Sequence, residues 1–138
     1  MTPFHSDILP ASLLWLRAYV GRAIRDAELG ARTVRVMAAL PEAVRGELMN
    51  DPAFALVELG GGRGGWQHAL AGPTGLNRPG RTVVLRLGRL RGPADYACYI
   101  IAHELAHAYL RNGGRWPGDD PESAADALAH EWGFPRPG

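Results

Sequence analysis

The chain has 138 residues and a mass of 14.9 kDa, enough for a single domain, 1–138, around one core. At 46% hydrophobic and 21% charged residues it falls among globular sequences and outside the disordered class. All 15 basic side chains are arginine, spread from Arg17 to Arg136 without a run, and 14 acids leave a net charge of +1. That balance supplies no field to hold a polyanion, so nucleic acid is not an expected partner.

One cysteine, Cys98, excludes an intrachain disulfide framework and a multi-cysteine zinc site; it reads as a small core residue. No stretch reaches the roughly 18 apolar residues of a membrane span. The apolar segment 8–20 is interrupted by Pro10 and Arg17 and lacks the flanks of a secretory signal, which points to a reducing cytoplasm.

In chain order, Leu13, Leu14, Leu16, Tyr19, Val20 and Ile24 recur at helical spacing and predict a helix over 10–29, closed by Gly30. Val34, Val36 and Ala38 alternate, predicting a strand over 33–40. Pro41 opens a short helix, 42–49, that stops before Asp51-Pro52. A strand over 54–59 follows, then a glycine-rich run at 60–65 and a possible hairpin return strand at 66–71. That run lacks a following Gly-Lys-Ser/Thr and the spacing of a dinucleotide fingerprint, so it reads as a loop and not a phosphate cradle. The segment 81–87, RTVVLRL, is the clearest strand, with Val83, Leu85 and Leu87 on one face. A helix over 93–110 ends at Asn112-Gly113-Gly114, and a last one, 120–132, begins with Asp120 as N-cap and Pro121 as first residue. The order predicts an α+β fold, a small sheet covered by helices.

The helix over 93–110 contains His103-Glu104-Leu105-Ala106-His107, an HExxH motif. Four residues on a helix separate the two rings by about 40° around the axis and one turn along it, so both imidazoles can converge on one metal ion. Glu104 falls about 60° from His107 on the same side, within reach of a water at that ion. Ala94, Cys98, Ile101, Leu105 and Ala108 make the opposite face apolar. A catalytic zinc takes three protein ligands and keeps one position open. Glu122, in the first turn of the last helix, is the leading third ligand, backed one turn later by Asp126 as an acceptor for the free nitrogen of a ligand histidine. His130 competes but lies about 12 Å from Glu122 along the axis, so the two cannot share an ion; Asp126, Asp119 and Asp120 are further alternatives. His5 and His68 have no partner at ligand spacing.

HELAHAYL followed by PESAADALAHEWGF resembles the gluzincin branch of the zincin metallopeptidases, in which an HExxH helix is completed by a Glu in an ExxxD signature on a later helix. The similarity covers about 81–132 and is closest to the small, single-domain minigluzincins; a similar pairing occurs in cytoplasmic peptidases that cleave phage-type repressors. The resemblance implies a zincin-like fold with a mixed or antiparallel sheet of about 3–5 strands. Residues 1–80 would supply an N-terminal helix and strands, and residues 81–138 the edge strand, the HExxH helix and the Glu helix. It makes His103, His107 and Glu122 ligands of one Zn²⁺, Glu104 the catalytic base, and Asp126 the acceptor orienting His103. The expected activity is zinc-dependent endopeptidase hydrolysis of a peptide or protein substrate, which the 81–87 strand would bind by strand addition. Tyr99, Tyr109 and His130 are candidates for stabilising the tetrahedral intermediate. Two rival readings are a zinc-binding regulatory or interaction module with a degenerate peptidase site, and a metal-free interaction domain.

Overall fold

The computed structural model describes residues 10–60, 81–111 and 120–138. They form α1 (Pro10–Ala23), α2 (Ala27–Ala39), α3 (Glu42–Met49), β1 (Phe54–Leu59), β2 (Arg81–Arg86), α4 (Ala94–Arg111) and α5 (Pro121–Glu131). The class is mixed α and β, as the sequence predicts, but the sheet differs from expectation. Among the described residues it has two strands, and they run parallel, with Phe54 opposite Arg81 through Leu59 opposite Arg86. The expected three to five mixed or antiparallel strands are not present there, and the return strand at 66–71 lies outside the described residues.

The parallel pairing has a physical rationale. In β1, Phe54, Leu56, Val57 and Leu59 are all buried, so the strand needs cover from helices on more than one side. Parallel neighbours also need a crossover much longer than a hairpin turn, and residues 60–80 supply that length.

The segment 33–40, read as a strand, is instead the second half of α2 followed by its C-cap, Leu40. Its buried residues, Leu29, Thr33, Val36, Met37 and Leu40, follow a helical period. Thr33 is accommodated because its hydroxyl donates back to the Leu29 carbonyl at 2.8 Å. The helix predicted over 10–29 is accordingly two helices, and Gly30 sits inside α2. The break at 24–26 is fixed by Glu58 on β1, whose two carboxylate oxygens accept from the backbone N–H groups of Arg25 and Asp26, each at 3.0 Å. Asp26 then caps α2 by accepting from Leu29 N at 2.9 Å.

The central element is α4, which packs against α2, α5 and β2. Cys98, Ile101, Leu105 and Ala108 are buried in the core, as the apolar face predicts, although Ala94 at the helix start is exposed. Ala97, Ala102 and Ala106 are fully buried too, as are Ala125 and Ala129 of α5. Small buried residues on both helices let their axes approach closely. No helix among the described residues is long and apolar enough to cross a membrane.

Candidate metal centre

Two local devices fix the ends of α5. At its start, Asp120 Oδ1 accepts from Glu122 N at 3.0 Å and Ser123 N at 3.2 Å, while Oδ2 accepts from the Ser123 hydroxyl at 2.8 Å. These bonds, led by the one from the Ser123 hydroxyl, hold the Asp120 carboxyl below its ordinary range. At its end, Gly133 adopts φ +100°, with Phe134 N donating to Ala129 O at 2.8 Å and Gly133 N to His130 O at 3.0 Å. That Schellman arrangement turns the C-terminal residues away from the helix axis.

Three of the sequence-selected side chains meet. His103 Nε2 lies 3.1 Å from His107 Nε2, Glu122 Oε1 lies 2.9 Å from His103 Nε2, and Glu122 Oε2 lies 3.2 Å from His107 Nε2. All three offer a ligand atom within 4.8 Å of the others. His103 is buried, His107 half-buried and Glu122 exposed, so the cluster meets solvent on its Glu122 side.

The support behind His103 dictates its chemistry. Asp126 Oδ1 lies 2.7 Å from His103 Nδ1 and accepts from the Tyr99 hydroxyl at 2.6 Å. Burial pushes the Asp126 carboxyl upward, but the bonds from Tyr99 and His103 outweigh it and hold the group below its ordinary value, ionised. An ionised carboxylate only accepts, so Nδ1 donates to Asp126, and Nε2, which faces Glu122 and His107, is the nitrogen a metal ion would take. Glu122 is likewise held low, chiefly by its contact with His103. Arg136, brought round by the turn at Gly133, approaches Asp126 Oδ2 at 4.0 Å and lies 5.9 Å from the centre of the Tyr99 ring. Burial first, and the bond to Asp126 second, push the Tyr99 hydroxyl up to about 12.

This donor set fits a small, borderline-soft divalent ion. Each of these short contacts needs either a proton between the two atoms or a cation among them. Tetrahedral bonds of about 2.0–2.2 Å would space the ligand atoms about 3.3–3.5 Å apart, within a few tenths of an ångström of the spacings found here. Two imidazoles and one carboxylate are also a recurring catalytic zinc set.

The other candidates fall elsewhere. Glu104 lines a groove of about 230 Å³ with Thr82, Val84 and Arg86 of β2, Arg89 and Leu90 of the β2–α4 connection, and Ile100. His130 is exposed near the end of α5 and is not in the cluster, and Asp120 serves as the N-cap. Tyr109 packs edge-on against Trp132, with ring centres 6.3 Å apart. Asp119, His5 and His68 lie outside the described residues. Sequence reasoning missed the role of Tyr99 behind Asp126.

Compared with protein-family models, with curated proteins and with solved structures, the chain matches none. The reading of the site therefore rests on its own geometry.

Proposed function

We propose that the chain is a zinc-dependent metallopeptidase with a gluzincin-type site in a zincin-like fold, hydrolysing peptide bonds in a peptide or protein substrate. His103, His107 and Glu122 are its metal ligands. The single observation carrying this reading is the convergence of His103 Nε2, His107 Nε2 and the Glu122 carboxylate from two helices, with Glu104 next to a ligand and open to a groove.

A zinc ion held there supplies a Lewis acid that polarises a carbonyl and makes water nucleophilic near neutral pH. The chain's own groups do the rest. Asp126 keeps the proton of His103 on Nδ1, so Nε2 stays available as a ligand. Glu104 takes a proton from the attacking water, and the oxygen adds to the scissile carbonyl carbon. The same carboxyl then gives the proton to the leaving nitrogen as the C–N bond breaks. β2 forms one wall of the groove and orients an extended segment beside Glu104.

Glu104→Gln tests the assignment directly. The variant is expected to bind zinc at the wild-type ratio while cleavage of an unfolded protein substrate falls by about 10²–10⁴-fold. Activity retained by the variant contradicts the role of Glu104. A second reading, a zinc-holding interaction module without turnover, is favoured by one observation. Tyr99 is committed to Asp126 and Tyr109 packs on Trp132, so neither stands ready to stabilise a tetrahedral intermediate. Zinc-loaded wild type that cleaves no substrate would select that reading.

A further inference from the structure

The groove beside Glu104 carries an unbalanced charge. Among the described residues, Arg86 and Arg89 line it together with Glu104, giving two cations to one anion. Both arginines are exposed, and among the described residues no ion pair joins either to Glu104 or to another acid. Their backbone is nevertheless rigidly placed. Arg89 N donates to Arg86 O at 3.0 Å, closing a turn that keeps the two residues at one end of the groove. The rest of the connection is tied down from α2, where Arg32 donates to the carbonyls of Leu90 at 2.8 Å and Gly92 at 2.9 Å. Arg91 faces Asp26 at 3.8 Å. Among these basic residues Arg32 and Arg91 are thus engaged within the fold, whereas Arg86 and Arg89 are left to the groove.

We infer that this groove recognises a carboxylate on the substrate, with Arg86 and Arg89 as its counter-charges, so that the enzyme selects acidic peptides. The inference rests on the peptidase reading only for the scissile bond lying beside Glu104. The carboxylate is an acidic side chain near that bond or the C-terminus of the peptide, and both present the same planar acceptor to a guanidinium. Glu104, one residue from a metal ligand and the one acid among the described lining residues, works on the chemistry while the arginines hold the substrate.

The test uses the full chain loaded with zinc and carrying Glu104→Gln, so that peptides are bound without turnover. Three acetylated peptides of otherwise identical sequence are titrated by calorimetry: one with Glu and an amidated end, one with Gln and an amidated end, and one with Gln and a free C-terminal carboxylate. The Glu peptide, or the free-acid Gln peptide, is expected to bind about tenfold more tightly than the amidated Gln peptide, and the preferred one identifies the source of the carboxylate. The preference should shrink as salt rises and vanish when Arg86→Gln and Arg89→Gln are added, with circular dichroism confirming an unchanged fold. Equal binding of all three peptides, or a preference that survives loss of both arginines, overturns the inference. Cleavage of the same peptides by the wild-type protein separates the two claims. Arg-dependent binding with no cleavage of any peptide defeats the peptidase reading alone, and cleavage without a carboxylate preference defeats this inference alone.

Discussion

Tyr99→Phe probes how the metal site is supported without touching a ligand. The substitution keeps the ring that packs 5.7 Å from His103 and removes only the hydroxyl donating to Asp126 at 2.6 Å. Burial is the larger cause of the rise of this hydroxyl to about 12, and the bond to Asp126 the second; one hydrogen bond whose acceptor keeps a second donor contributes about 1 kcal/mol net. The variant should lose about 1 kcal/mol in urea unfolding at neutral pH. Its zinc affinity, read by competition with a chromophoric chelator, should fall about tenfold because Asp126 holds His103 less firmly. The sign with pH follows from a folded value raised above the unfolded one. The Tyr99 contribution is complete below pH 10 and is lost as pH climbs towards about 12, so wild type should lose more stability than Tyr99→Phe over that interval. A variant with wild-type zinc affinity, wild-type stability and an unchanged alkaline limb would refute the support assigned to this hydroxyl.

Further outcomes follow from the same architecture. His103→Ala and His107→Ala should each lose stoichiometric zinc, and added zinc should raise the melting temperature of wild type but not of either variant. Leu105→Ala, at a fully buried position on the core side of α4, should cost about 2–5 kcal/mol in urea unfolding while zinc still binds at the wild-type ratio under native conditions. Asp120→Ala removes the cap that fixes the first turn of α5, so zinc affinity should drop through looser placement of Glu122, as chelator competition would read.

What could be read from the sequence was what local geometry decides. His103 and His107 are one turn apart on any helix, and Asp120-Pro121 starts a helix by its own chemistry. Glu122 leads several candidates for third ligand in the sequence, and its approach to the histidines depends on how α5 packs against α4, which no local spacing decides. The errors arose where a distant residue decides. Val34, Val36 and Ala38 alternate like a strand, but Glu58, 33 and 32 residues from the backbone groups it binds, ends α1 and sets the start of α2. Which strand pairs with β1, and in which direction, depends on long-range burial that no periodicity encodes. Tyr99 was weighed as a helper in catalysis because nothing local reveals that Asp126, on another helix, occupies its hydroxyl.

The central claim is that two helices bring together one zinc site, and metal content of the purified protein tests it most directly, wild type beside Glu122→Ala. The account predicts one zinc per wild-type chain and a lost or strongly weakened site in the variant. No zinc in wild type after reconstitution, or undiminished binding by Glu122→Ala, would contradict it.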